Sequence, residues 1–184
     1  MHRARQIFGF AASYGNGREN RLYLDIGCNK GFLLAAGLER GWDVYGIEIV
    51  PELTVPFTNT YRNLKDHIFN GRFEDCCANF KTDMFDLITA IDVIEHFEDV
   101  VEDLTGVFKL LRPSAVFVIQ TPDAACTQAR RLKCNWGALK PLEHLHLFSA
   151  ENLSALAREI GFTETLAFAP FEEADGNFVA VLRK

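Results

Sequence analysis

The chain has 184 residues, 48% of them hydrophobic, and a formal net charge of −6. That length and composition suit one globular domain with a sizeable core, and the acidic balance argues against nucleic acid as an obligatory partner. Five cysteines with no CxxC pair do not suggest a disulfide framework or a zinc site, and fit reduced thiols in a cytoplasmic protein. No apolar run approaches the ~20 residues of a bilayer span, and the N-terminus lacks a signal-peptide pattern.

In chain order, residues 2–12 predict a short lead-in helix, ended by the turn signal Tyr14-Gly15-Asn16-Gly17. Residues 22–26 are a short apolar run, interrupted by Asp25, that predicts a buried strand. Gly27-Cys28-Asn29-Lys30-Gly31 then forms a turn, and from Phe32 the apolar spacing becomes helical as far as Gly41. Strand, glycine loop and helix N-terminus in that order bring backbone N–H groups up to a ligand. Asn29 and Phe32 break the glycine spacing of a dinucleotide fingerprint, and the Gly-Lys-Ser/Thr of a P-loop is absent.

Val44-Tyr45-Gly46-Ile47-Glu48 predicts a second buried strand that ends on an acid, and Pro51 opens the next helix. Ile68 and Phe69 predict a third strand running towards Gly71-Arg72-Phe73-Glu74. Residues 85–91 form the clearest strand and lead into Asp92-Val93-Ile94-Glu95-His96. Apolar residues at 100, 101, 104, 107, 108 and 111 lie on one helical face, Pro113 is expected to end that helix, and residues 115–119 predict a fifth strand closed by Thr121-Pro122. From 123 to 147 the rhythm becomes irregular. It contains the basic run Arg130-Arg131 with Lys133, read as a solvated face. Ser149 is a cap for a helix that ends at Gly161, and residues 162–169 and 178–182 predict an antiparallel hairpin turning at 172–176.

Strands alternating with helices imply right-handed βαβ units, a mainly parallel seven-stranded sheet whose last strand is antiparallel, and helices on both faces. Ligands of such sheets bind at the C-terminal ends of the strands. Asp25, the 27–31 loop, Glu48, Glu74 and Asp92 all fall there.

Asp25-Ile26-Gly27-Cys28-Asn29-Lys30-Gly31 resembles the first motif of the class I S-adenosylmethionine (SAM) methyltransferases, Asp-x-Gly-Cys-Gly-x-Gly, with Asn29 at the central glycine. Ile47-Glu48 resembles the second motif, Phe85-Asp86-Leu87-Ile88 the FD strand, and Asp92-Val93-Ile94-Glu95-His96 the EH segment. Leu110-Leu111-Arg112-Pro113-Ser114 resembles the Leu-Lys-Pro-Gly-Gly turn. Glu143-His144-Leu145-His146-Leu147-Phe148-Ser149 is similar to the C-terminal part of the small-molecule branch typified by ubiquinone-biosynthesis O-methyltransferases.

This resemblance implies a Rossmann-like fold over residues 1–184, either a single domain or a piece of a longer protein. It also implies SAM as methyl donor, S-adenosylhomocysteine as product, and methyl transfer to a small molecule, most readily at oxygen. Asp25 is expected at the ammonium of SAM, the backbone of the loop Gly27, Cys28, Asn29 and Gly31 at its carboxylate, and Glu48 at the ribose hydroxyls. Ile49, Phe73, Glu74, Ile91 and Asp92 are expected around the adenine and the sulfonium. His96, His144 and His146 are candidate bases. A strand over 144–148 would put the last two on one face.

Some relatives carry Glu-x-x-Glu-His and use a metal; here the first acid is Asp92, and Asp92, Glu95 and His96 on one helical turn, with a histidine from 144 or 146, are an alternative candidate cation site. Neither the acceptor nor the cover of the cleft is legible. The cleft is open, completed by a partner in a homodimer, or closed by a further domain. A SAM-binding protein without catalysis, an RNA-directed methyltransferase and a nucleotide-dependent oxidoreductase remain as other classes.

Overall fold

The computed structural model of the protein describes residues 1–15, 19–168 and 176–184. Its strands are β1 (Leu22–Ile26), β2 (Asp43–Glu48), β3 (Ile68–Asn70), β4 (Phe85–Ile91), β5 (Leu111–Pro122), β6 (Glu164–Phe168) and β7 (Asn177–Arg183). They form one seven-stranded sheet in the order β3-β2-β1-β4-β5-β7-β6. The sheet is mixed: β1 to β5 are parallel, and β7 is antiparallel to both β5 and β6. The expected hairpin is therefore present, while most of its expected 172–176 turn lies outside the described residues. Strand order reverses between β1 and β4, the position at which sheets of this kind leave a crevice for a ligand.

Alternating side chains divide the core between the two faces. Leu24 and Ile26 of β1 join one layer, which is covered by α5 (Val100–Leu110) through Leu104 and Val107 and by α7 (Ala150–Ile160) through Leu153 and Ala157. Tyr23 joins the other, covered by α1 (His2–Ser13) through Phe8 and Ala11 and by α2 (Phe32–Leu38) through Leu34 and Ala36. Burying each large apolar side chain contributes about 1.5–3 kcal/mol, so these faces hold the helices more firmly than helix propensity does.

The caps set where the helices begin. Asp99 accepts from Val101 N and Glu102 N at 3.1 and 3.0 Å, while Ser149 and Asn152 form a reciprocal capping box. The remaining helices are α3 (Pro51–Thr60), α4 (Phe73–Cys76) and α6 (Thr127–Leu132). Among the described residues no helix is long and apolar enough to cross a membrane.

Two expectations need correction. Pro113 does not end α5, which stops at Leu110; β5 begins at Leu111, and Pro113 lies inside the strand. Phe85 pairs with Leu111 and Leu87 with Val116, so residues 112–115 bulge out opposite Asp86. The bulge accommodates both the proline and Ser114, whose φ is +66°. The 123–147 stretch is more ordered than its sequence implies, since α6 is capped by Cys126 Sγ accepting from Ala129 N at 3.2 Å. Residues 144–148, however, are not a strand; only a bridge from Asp123 to Phe148 forms there. The N–H groups of Leu145 and His146 go to the Glu95 carbonyl instead, at 2.8 and 3.2 Å.

The bulge yields a stability prediction. A left-handed conformation costs an L residue about 1–2 kcal/mol, and part of that gain is offset by the greater unfolded-state freedom of glycine. Ser114→Gly should therefore raise the unfolding free energy by about 0.5–1 kcal/mol, as a higher denaturant midpoint at unchanged slope. A lower midpoint would mean that the Ser114 side chain supports the bulge.

Candidate active site

A cavity of about 1010 Å³ opens at the C-terminal ends of β1, β2 and β4, at the large end of the range for small-molecule sites. Its floor is the 27–31 loop, folded back onto β2. The Ile47 carbonyl accepts from Gly27 N and Cys28 N, both at 2.9 Å, and Glu48 Oε2 accepts from Asn29 N at 2.8 Å. Asn29 takes φ +49° and its own Oδ1 accepts from Lys30 N at 2.8 Å, a polar substitute for the missing glycine. Gly31 has φ +71°, and a Cβ there would lie 2.5 Å from the Phe57 ring.

The loop N–H groups are thus satisfied within the chain, contrary to the expectation that they face a ligand carboxylate. The N–H groups without an intrahelical acceptor are those in the first turn of α2, where Phe32 and Leu33 line the cavity.

Two carboxylates end the neighbouring strands β1 and β2, and both are buried. Glu48 accepts from Asn29 N through Oε2 and from Val50 N at 3.0 Å through Oε1, so it is not a solvated strand end. Each oxygen retains lone-pair capacity for a further donor. Asp25 Oδ1 accepts from Thr89 Oγ1 at 2.5 Å. Burial pushes the Asp25 carboxyl up to about 7; the Thr89 bond opposes the shift, and the neighbouring Glu48 charge adds to it. Burial likewise pushes the Cys28 thiol up, and its sulfur packs where a side chain on Gly46 would sit, so Cys28 shapes the floor of the cavity.

The expected adenine-side residues separate. Ile49 is exposed on the cavity wall, and Ile91 and Glu74 also line it. Phe73 reaches the cavity, but its ring belongs to the core, 6.1 Å from that of Phe97 and against Gly106. Arg72 bridges Glu74 and Glu98 at the rim.

Opposite the loop, the EH segment and residues 143–146 are joined. His96 Nδ1 donates to the Glu143 carbonyl at 2.7 Å, and His144 Nδ1 to the Ala138 carbonyl at 2.8 Å. A carbonyl only accepts, so both rings carry a proton on Nδ1, and in a neutral ring Nε2 is the lone pair. His96 lines the cavity. His146 Nε2 donates to the Phe97 carbonyl at 2.9 Å, which makes that ring a clamp for the segment.

Ligating atoms of Glu95, His96 and His144 lie within 4.8 Å of one another. Glu95 is buried and accepts from Thr121 Oγ1 at 2.9 Å, and burial pushes its carboxyl up. Asp92 is not part of this group. It has φ +56°, precedes the single 3-10 turn Ile94–His96, and accepts from Gln120 Nε2 and Asn177 Nδ2 at 3.3 Å.

Several wall residues carried no sequence signal. Among the described residues, six acids (Asp25, Glu48, Glu74, Asp92, Glu98 and Glu143) face three bases (Arg3, Lys30 and Arg72) across the cavity. Arg3 comes from α1, which buries Ala4, Ile7, Phe8 and Ala11 and whose first turn reaches the mouth. An anionic, partly apolar cleft suits a ligand with positive charge and an aromatic base, and the chemistry of SAM fits it.

The methyltransferase domain family matches residues 2–166 of this chain. A ubiquinone biosynthesis O-methyltransferase from Psychrobacter arcticus is 31% identical over 108 residues, covering 57% of this chain and 42% of that protein. The chain thus spans less than half the length of that curated relative. Among solved structures, a SAM-dependent methyltransferase from Archaeoglobus fulgidus superposes with TM-score 0.75 at 15% identity, covering 98% of this chain and 92% of that one. Phosphoethanolamine N-methyltransferase 2 from Haemonchus contortus, solved with SAM, gives TM-score 0.71 at 14% identity and covers 97% of this chain and 52% of that one. The last two likenesses carry the fold.

Burial of Asp25 makes folding pH-dependent. Its folded pKa of about 7 lies above the ordinary value of 3.8, so its favourable contribution is complete below the unfolded pKa and is lost as pH rises through the folded one. Asp25→Asn should match the parent in stability near pH 4 and exceed it by roughly 1–3 kcal/mol near pH 8. Paired thermal melts at the two pH values test this. An equal offset at both would show that the carboxyl does not titrate in this range.

Proposed function

The chain belongs to the methyltransferase domain family, and from that premise we propose that it transfers a methyl group from SAM to the oxygen of a small molecule. The observation that carries this reading is the pair of buried carboxylates, Asp25 and Glu48, on adjacent strand ends in one anionic cavity. Taking such charges out of water is costly unless they are paired, and a cationic, hydroxyl-rich ligand supplies partners for both.

Bound there, SAM supplies an electrophilic methyl on a positively charged sulfur and departs as S-adenosylhomocysteine. In this reading Asp25 receives the ammonium, and Glu48 accepts the ribose hydroxyls with the lone pairs its two backbone donors leave over. Ile49 and Glu74 flank the adenine, by apolar surface and by accepting from its amine. Lys30 and Arg3, with the first turn of α2, face the carboxylate. The reaction needs alignment and exclusion of water more than it needs acid–base help. An acceptor hydroxyl must still lose its proton, and His96 Nε2 is the lone pair at the wall that can take it.

Oxygen as acceptor atom is supported by the names of the curated relatives, which are O-methyltransferases. A small acceptor is supported by the size of the cleft and its apolar lip, Phe32, Leu142 and Leu145. A second reading of the deprotonation step rests on the Glu95, His96 and His144 cluster. That set would offer two imidazoles and one carboxylate to a divalent cation. A cation there would lower the pKa of a hydroxyl bound beside it.

Removing the Glu48 carboxylate tests the donor site. Glu48→Ala leaves the N–H groups of Asn29 and Val50 without their acceptor, so it should cost about 1–3 kcal/mol of stability as well as affinity. In calorimetry at a temperature where both proteins are folded, SAM affinity should fall at least roughly tenfold. A folded Glu48→Ala protein that binds SAM like the parent, or a parent that binds NAD and not SAM, would refute the reading.

The base is tested by methyl release over a panel of hydroxylated metabolites. His96→Ala should lower kcat by about 10²–10⁴-fold while SAM affinity stays within about twofold. Chelation followed by Mg²⁺, Mn²⁺ or Zn²⁺ separates the two forms of the step. Full activity after chelation selects His96 as base, and loss that His144→Ala reproduces selects the cation.

A further inference from the structure

Beneath the floor of the cavity lies a hydrogen-bond chain that the reading above does not use. Tyr23 and Asp25 are two residues apart on one face of β1, and Thr89 is paired with Asp25 across β4. Tyr23 Oη lies 2.6 Å from Thr89 Oγ1, which lies 2.5 Å from Asp25 Oδ1. Tyr23 and Thr89 are 0% exposed and Asp25 is 3% exposed, so water does not compete. The Tyr23 ring is fixed edge-on against Phe8 at 4.9 Å and Trp42 at 6.5 Å, beneath α1.

The direction of the chain follows from counting protons. The Thr89 hydroxyl has one proton and donates it to Asp25, so in the Tyr23–Thr89 contact Tyr23 is the donor. Every proton then points towards the carboxylate. Protonating Oδ1 would put three protons on two contacts and leave one hydroxyl proton, of Thr89 or of Tyr23, buried without an acceptor, at the cost of an unmade bond. Burial keeps the Tyr23 phenol well above its ordinary range, so it stays a donor. Hydrogen bonds in series polarise one another, and Tyr23 strengthens the donor that Thr89 offers.

We propose that Tyr23 and Thr89 are positioning residues for the amino end of the methyl donor: their chain fixes Oδ1 of Asp25, turns the other oxygen to the cleft, and keeps the carboxylate charged to receive an ammonium. This inference rests on the SAM reading. It gives Asp25 a reason to sit beside two hydroxyls in an otherwise apolar layer of Leu87, Val116 and Val118. The titratable groups facing Asp25 are Tyr23 on its own strand, Cys28 on the loop and Glu48 on β2. Glu48 and burial push the Asp25 carboxyl up, and the hydroxyl chain pulls it down.

The test compares the parent with Tyr23→Phe, Thr89→Val and Thr89→Ser. SAM affinity is titrated across pH, and isotope-labelled aspartate reports Asp25 ionisation in the unliganded protein. The parent affinity should rise with pH as Asp25 ionises near 7. Any decline at higher pH belongs to the amine of the ligand and is common to all four proteins. In Tyr23→Phe and Thr89→Val the rising limb and the Asp25 midpoint should move up by about one pH unit, and affinity at pH 7 should fall roughly three- to tenfold. Thr89→Ser should keep the parent profile.

Coincident limbs and midpoints in folded Tyr23→Phe and Thr89→Val overturn the inference. So does a loss of affinity that is equal at every pH, which is packing damage. A parent that binds no SAM at any pH overturns the SAM reading and this inference with it. Binding by the parent with unmoved variants overturns this inference alone. Tyr23→Phe removes only an oxygen and keeps the ring contacts, so it decides the matter if Thr89→Val does not fold.

Discussion

Closure of the 27–31 loop onto the end of β2 governs the rest of this site. Glu48 and the Ile47 carbonyl hold three successive loop N–H groups, at 2.8 to 2.9 Å. The geometry that results presses Gly27 against Val93 and Gly31 against Phe57, and leaves Asn29 in a left-handed turn. A loop held this tightly offers a rigid floor instead of free backbone donors. In the proposed reading, recognition then falls to the side chains at its edge and to the first turn of α2. Rigidity of this kind aligns a reacting group at little entropic cost, which is what the proposed methyl transfer would require.

That closure has an electrostatic consequence. It buries the Glu48 carboxylate beside that of Asp25 on the neighbouring strand, and the two differ in how they are stabilised. Glu48 has two backbone donors, whereas Asp25 has one hydroxyl and the charge of Glu48 beside it. The unliganded site is therefore poised towards a cation, and the folded chain carries that strain at neutral pH. In the proposed reading a cationic ligand relieves it, so stability and ligand affinity would draw on the same two residues. Stability is made up elsewhere, by the two apolar layers of the sheet and by capped helices such as α5 and α7.

The opposite wall is built by a different rule. Residues 143–146 have no regular structure of their own and take their conformation from the EH segment. The Glu95 carbonyl accepts two of their N–H groups, while the His96 and His146 rings close the contact from either side. The same bonds fix the tautomers of His96 and His144 and bring both rings to Glu95. One backbone arrangement thus sets both the shape of this wall and the ring atoms it presents.

The sequence alone determined the order of the strands and of the helices other than α4 and α6, the parallel core of the sheet and the location of the cleft at the strand ends. These follow from rules that act within a few residues: apolar period, capping side chains, and the φ tolerance of Gly27, Gly31 and Asn29. The motif spacing also brought Asp25 and Glu48 to the cavity. Only the tertiary structure decided what each polar atom bonds to, because those partners lie far away in the chain. Asn29 meets Glu48 across 19 residues, His96 meets the Glu143 carbonyl across 47, Thr89 meets Asp25 across 64, and Asn177 meets Asp92 across 85. For that reason the ring of Phe73 went to the core, Asp92 left the cation cluster, His146 became a clamp, and the bulge at Ser114 carried β5 through Pro113. Periodicity assigns a side chain to a face, but its partner depends on which distant strand or loop the fold brings there.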